Sequence, residues 1–317
     1  PTSIFWTRAL LGVGEAPLFL AGTRVLVHWF SAEERGSAIG LFNGSASLGP
    51  ALAPPVLLAI MAWWGWRDMS VMVGVINLLL AVIWIIYYRD PVSGTVPAPI
   101  ATQSAGASLR SALKDDLGYL LRQRNTWAAT AGYTGVVYLS SLYITWLPAW
   151  LEKTENLSTI QAGLLSAFPQ IFSFIGCFVG GRLMDMISQR GVAPLVACRR
   201  TVVLSMLACA LLTGTLALQP GSIPAIVLLT VTLFSSGVAV SCGWTLGTLI
   251  VTENRVATLE AIQNTGASLG GVLAPLLTGL LATRYGSFGP AFILACGIGL
   301  VSVVMYHRGF SGYKIKS

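Results

Sequence analysis

Residues 43–54 read NGSASLGPALAP and residues 264–275 read NTGASLGGVLAP. Eight of the twelve positions agree at a constant offset of 221, and Gly65 falls opposite Gly286 at the same offset. Self-similarity of this kind marks duplicated halves of one architecture. Both copies lie inside long apolar runs. Nine such runs are readable as spans, at residues 4–29, 37–62, 70–88, 127–150, 160–184, 196–218, 223–251, 259–282 and 291–306. Each is near the ~20 residues that a helix needs to cross the hydrocarbon core.

The repeat assigns these spans to halves. The second copy sits in the fifth span after the polar segment 89–125, with one span following it. The first copy sits in the second span of the chain, again with one following before that segment. Equivalent halves therefore predict three helices of a first half and a complete six-helix second half. On this expectation the sequence is a fragment that opens, at Pro1, after the first three helices of a six-plus-six protein. Residues 1–90 are then the last three helices of the N-terminal half, 91–126 the central loop, and 127–317 the C-terminal half. The loop begins with a Pro/Gly/Ser/Ala-rich linker and ends in 109–124, where charges interleave with leucines as in an amphipathic helix lying on a membrane face.

Composition agrees with a polytopic all-α membrane protein. Hydrophobic residues make up 55% of the chain and charged residues 10%, whereas a soluble domain carries about a quarter charged residues. Fifteen Lys and Arg residues, among them Arg35, Arg124, Arg190, Arg199, Arg255 and Arg308, fall on one side of the predicted spans, and only Arg67, Lys153 and Arg284 on the other. The positive-inside rule puts the first set, the central loop and the C-terminus in the cytoplasm, in an inner (plasma) membrane. Topology thus accounts for the net charge of +7, with no nucleic acid as partner. Trp63, Trp64, Trp66, Trp146 and Trp150 fall at predicted outer ends, where indoles favour the interface. The five cysteines have no paired spacing and read as packing residues, and the two histidines lie near span ends. HExxH, P-loop and Ser–His signatures are absent, so neither an enzyme nor a metal or other cofactor is expected.

Ionisable residues inside a span cost roughly 2.5–3.5 kcal/mol and tend to be functional. The first span supplies two. Arg8 and Glu15 are seven residues apart, about 700° of rotation, and so share one helix face roughly 10 Å apart. A fixed cation and a titratable acid on one face suit a polar cavity for an anion and a proton. Polar groups in later spans include Gln170, Ser241, Trp244, Thr245, Asn264 and Ser268, with Tyr133 and Tyr138 as hydroxyl donors. Ser241 and Trp244, three apart, are helix neighbours that could face a polyhydroxylated ligand. Helix packing is the alternative role for each.

The stretches RALLGVGEA (8–16), WFSAEERGSAIGLFNGSASLG (29–49), YITWLPAWL (143–151), GRLMD (181–185) and NTGASLGGVLAP resemble the major facilitator superfamily. Within it the chain is similar to the anion:cation symporter family, which includes bacterial sugar-acid transporters. The resemblance implies the major-facilitator fold and secondary active transport by alternating access. It implies that Arg8 receives the substrate carboxylate, that Glu15 takes part in proton coupling, and that Ser241, Trp244 and Asn264 line the pocket; Tyr138 joins them as an expected substrate-binding residue on its hydroxyl alone. Gly181, Asp185 and Arg190 match a degenerate copy of the family's conformational gate motif, with Met186 and Ser188 departing from it. The expected cargo is a small organic anion, a hexonate, hexarate or related carboxylate, carried with protons or with Na⁺ by a monomer in a lipid bilayer. A drug/proton antiporter of the same fold is the alternative, since Gly49-Pro50 is similar to that group's helix-five motif. A non-transporting sensor is the third reading, but the sequence leaves little room for a signalling domain.

Overall fold

The computed structural model describes residues 2–31, 34–88, 109–155, 157–218, 222–252 and 255–310. They form nine helices: α1 Thr2–Trp29, α2 Arg35–Tyr87, α3 Leu109–Leu121, α4 Arg124–Glu155, α5 Thr159–Gln189, α6 Pro194–Leu216, α7 Ser222–Ile250, α8 Val256–Tyr285 and α9 Gly289–Arg308. The Pro/Gly/Ser-rich linker expected at 91–108 lies outside the described residues.

α2 is 53 residues long and corresponds to two expected spans, with no loop between them. Its one non-helical residue is Gly65, at φ 80° and ψ 171°, a conformation closed to residues with a Cβ. Gly286, its repeat partner, ends α8 at φ 67° just before α9. Two glycines at the repeat offset thus both take positive φ, each at a junction between helical stretches.

Seven helical stretches are long and apolar enough to cross a membrane. α4 is as long but more polar, and several of its polar residues bond to other helices. In α4, Ser140 shares a 3.0 Å hydrogen bond with Ser236 of α7, and Ser302 of α9 donates to the Gly132 carbonyl. Tyr143 shares a 2.7 Å bond with Thr213 of α6. Interhelical bonds of this type and small-residue contacts hold membrane helices together where lipid offers no hydrophobic driving force.

α4 to α9 pack as one bundle around a buried core that includes Leu139, Leu142, Met206 and Leu229. α2 packs along α5, and α1 touches α2 and α8. The chain direction gives the bundle two ends. The starts of α2, α4, α6 and α8 and the ends of α1, α5, α7 and α9 share one, here the Asp185 end; Gly65 marks the other.

Trp146 and Trp150, near the end of α4, pack against other helices. Trp150 is 3% exposed and packs edge-on against Phe292, and Trp146 donates its indole N–H to the Pro275 carbonyl at 3.2 Å. Trp150 is thus buried and Trp146 half-buried in the bundle, whereas Trp63, Trp64 and Trp66 are exposed. The amphipathic segment does form a helix, α3, but packs on protein. Leu120 is buried among Val27, Ile250, Val256 and Leu259, and Arg255 pairs with Asp116 at 2.8 Å while lying 4.4 Å from the Tyr119 ring.

Candidate functional site

The first half of α1 is a bare wall. Phe5, Trp6, Leu10, Val13 and Leu18 are exposed, and so is Glu15. The Arg8 side chain lies outside the described residues, so its pairing with Glu15 rests on the seven-residue spacing.

Further along, α1 meets α7. Trp244 donates its indole N–H to Thr23 Oγ1 at 2.8 Å, and the Thr23 hydroxyl donates to the Phe19 carbonyl at 2.9 Å. The Trp244 ring lies 5.3 Å from Tyr133 and 6.2 Å from Phe19. Both ends of the bond are buried, Thr23 at 0% and Trp244 at 2% exposure. In this conformation Trp244 therefore spans a helix–helix contact.

The other expected pocket residues divide. Ser241, one turn before Trp244, is buried beside the close approach of Gly40 in α2 to α5. Tyr138 is buried, but its hydroxyl lies beside Thr278 toward the Gly65 end, and it is Tyr133 whose ring packs on Trp244. Asn264 is half-buried on α8, where its carbonyl accepts the Ser268 hydroxyl at 2.9 Å. The structure thus gathers Trp244, Tyr133, Phe19 and Thr23 and sets Tyr138 apart from them.

Gly181 and Asp185 act together at one junction. Asp185 of α5 accepts the backbone N–H groups of Gly36 at 3.1 Å and Ser37 at 2.7 Å, together with the Ser37 hydroxyl. These amides are among the unsatisfied donors at the start of α2, whose own N-cap, Glu34, makes no side-chain cap bond. A carboxylate there also meets the positive end of the helix dipole. Gly181 lets α2 come close enough for this, because a Cβ on it would stand 2.1 Å from the Gly36 carbonyl oxygen. The approach continues at Gly40 and Gly44 against Cys177. Arg190 is exposed at the C-cap of α5.

Sequence reasoning missed the other side of this junction. Gly36, Gly40 and Gly44 recur every fourth residue, the small-residue spacing of close helix pairs, and that signal was available. It also missed Glu260 of α8, an acid inside an expected span that is 0% exposed. Arg35, at the start of α2, is buried nearby and donates to the Val27 carbonyl at 3.1 Å. Asp185 with α2, Thr23 with Trp244, and Glu260 beside Thr23 and Arg35 join the α1–α2 pair to α5, α7 and α8 at the Asp185 end.

Comparison with known proteins agrees with this architecture. A family model described as the Major Facilitator Superfamily matches residues 1–259. The chain is 31% identical over 301 residues to a probable L-galactonate transporter of Escherichia coli (strain K12), covering 93% of this chain and 66% of that protein. It is 26% identical to a hexuronate transporter of Bacillus subtilis (strain 168), covering 98% of this chain and 74% of the relative. Among solved structures it is similar to the E. coli fucose:proton symporter FucP, with a TM-score of 0.63 at 14% identity over 93% of this chain and 74% of that one. The matched family model, the repeated halves and the shared fold together make this chain a member of the Major Facilitator Superfamily.

Proposed function

We propose that this protein is a secondary active transporter that takes up a small organic anion of the sugar-acid class together with protons. The observation that carries the reading is the 31% identity to a probable L-galactonate transporter, spread over 93% of the chain. The hexuronate transporter belongs to the same chemical class, a polyhydroxylated chain with a carboxylate. Such a cargo needs a cation for its carboxylate and hydrogen-bonding groups for its hydroxyls. Arg8 supplies the cation. Tyr138, Ser241, Trp244 and Asn264 supply the polar lining as the helices rearrange. Glu15, on the face of α1 shared with Arg8, carries the coupling proton. An anion that neutralises Arg8 changes the field at Glu15, so anion and proton bind with mutual coupling.

Arg35, Arg190, Arg199, Arg255 and Arg308 lie at the Asp185 end, which the positive-inside rule assigns to the cytoplasm. With that end held shut by Asp185 and Trp244, the conformation described here is closed toward the cytoplasm. Alternating access is then the rocking of residues 1–90 against 127–317, linked by 91–126, with Gly181, Asp185 and Arg190 at the gate. The carrier works as a monomer in the inner membrane.

Uptake of labelled galactonate and glucuronate by cells expressing the protein, under an inward proton gradient, tests the reading. Accumulation should require the gradient and be lost in Arg8→Ala. Dependence on a sodium gradient would change the coupling ion. Export of cationic dyes with no carboxylate uptake would move the protein to the drug/proton antiporters.

A further inference from the structure

Glu260 has no role in the reading above. It lies on the fifth residue of α8, is 0% exposed, and among the described residues neither carboxylate oxygen has a hydrogen-bond donor. A buried carboxyl without donors is costly to keep charged, and such groups act by taking and releasing protons.

The groups around Glu260 explain why no donor reaches it. From α1, Thr23 is its neighbour, but the Thr23 hydroxyl donates to the Phe19 carbonyl and its oxygen takes the Trp244 N–H. From α2, Arg35 acts on it electrostatically while donating to the Val27 carbonyl. From α4, Tyr133 faces it. On α8 itself, Gln263 sends its amide N–H to the Gly243 carbonyl at 3.0 Å, and Arg255 is held by Asp116 and Tyr119 of α3. The His28 side chain lies outside the described residues.

Packing alone does not ask for an acid here. The repeat offset of 221 places Ile39 opposite Glu260, and Ile39 is also 0% exposed. One half buries an aliphatic side chain and the other a carboxyl, at equivalent points of equivalent helices. Thr23 and Arg35 belong to the α1–α2 pair and Glu260 to the opposite half, so separating the halves at this end uncovers the acid.

We propose that Glu260 is a second proton-binding site, which holds its proton while the halves are closed over it and releases it to the side on which they part. This rests on the transport reading: Glu15 binds the proton with the anion, and Glu260 ties its release to opening of the gate. The step is a proton transfer from the Glu260 carboxyl to water entering the parted interface, leaving the carboxylate and a hydrated proton.

Two measurements on the purified, reconstituted protein test it. The first is infrared spectroscopy in H2O and D2O, which reads protonated buried carboxyls without any substrate. Glu260→Gln should lose one deuterium-sensitive carboxyl band that Glu15→Gln retains; an unchanged spectrum overturns the proposal. The second is galactonate transport. Glu260→Gln should keep exchange of internal for external substrate but lose at least ten-fold in gradient-driven accumulation, and Glu260→Asp should recover the pH dependence. Wild-type accumulation and pH profile in Glu260→Gln would overturn the proposal. Should the wild type carry no sugar acid, the transport reading fails, and the infrared result still decides whether Glu260 binds a proton. If Glu260→Gln does not fold, the infrared comparison is made on Glu260→Asp, whose band should shift; a band that stays in place counts against the proposal.

Discussion

Trp244 donates its indole N–H to Thr23 across 2.8 Å, and the two residues are 221 positions apart. That is the offset relating residues 43–54 to 264–275 and Gly65 to Gly286. Extended along α1 and α7, the sequence repeat therefore pairs Thr23 with Trp244. A residue can touch its own symmetry mate only near the axis relating the halves. The bond thus sits where the halves meet, and any rocking of one against the other must strain or break it.

Thr23→Val should remove the acceptor and leave the buried indole N–H unpaired, at a cost of about 1–3 kcal/mol to this conformation. Trp244→Phe in the Thr23→Val background should recover much of that loss, because the orphaned donor is gone. Thermal unfolding in detergent of both single variants and the double variant checks this. Strictly additive losses would show that the bond contributes nothing of its own.

Asp185→Asn should weaken the cap on α2. Hydrogen bonds to a charged group contribute about 1.5–3 kcal/mol, and the amide side chain keeps only part of that. The closed end should then open more often and expose Cys177, which is buried against Gly40 and Gly44 of α2. Alkylation of Cys177, followed by mass spectrometry, should run several-fold faster than in wild type. Equal rates would mean that the cap does not hold the gate.

Gly181→Ala should be worse than its one carbon suggests. The new Cβ would fall 2.1 Å from the Gly36 carbonyl oxygen, a backbone atom that cannot swing aside. Overpacking of this kind costs about 1–3 kcal/mol, and the helices must separate to relieve it. Gly49→Ala is the control, since nothing lies within 4 Å of a Cβ there. Its stability should match wild type or exceed it slightly, through the better helix propensity of alanine.

Arg255→Gln should release α3 with little loss of global stability. The Arg255–Asp116 pair is about a quarter exposed on each side, and such pairs contribute about 0–1 kcal/mol. The same side chain also lies over Tyr119, so its loss removes both polar ties of α3 to the start of α8. Limited proteolysis should cut within 109–121 sooner in the variant, while the melting temperature moves little. An unchanged cleavage pattern would leave Leu120 with its apolar neighbours, and the Trp127 N–H on the Leu121 carbonyl, as the anchors that hold α3.

Much of the architecture was legible without coordinates. Long apolar runs admit few structures in lipid, because every backbone polar group must be satisfied within the segment. The all-α character and the approximate bounds of the long helices follow from that constraint, although nine spans were expected where seven described stretches are long and apolar enough to cross a membrane. Gly181 and Asp185 were also readable, through a resemblance. What they cap was not, because the amides of Gly36 and Ser37 belong to a helix some 150 residues away in the chain. The partners of Trp146 and Trp150 were unreadable for a similar reason: which helix lies beside an indole depends on how the helices pack. Glu260 was visible as an acid inside a span, but its burial with no donor among the described residues was not.

The sequence by itself determined what lipid and local geometry dictate: the all-α character and the bounds of the long helices to within a few residues. Tertiary structure alone decided which helices meet, that Thr23 bonds to its repeat partner Trp244, and that Glu260 is sealed between the halves. The division is physical. Helix formation in a membrane is a local response to solvent, while contact between helices depends on where small residues allow two backbones to approach. That placement brings together side chains that lie hundreds of residues apart.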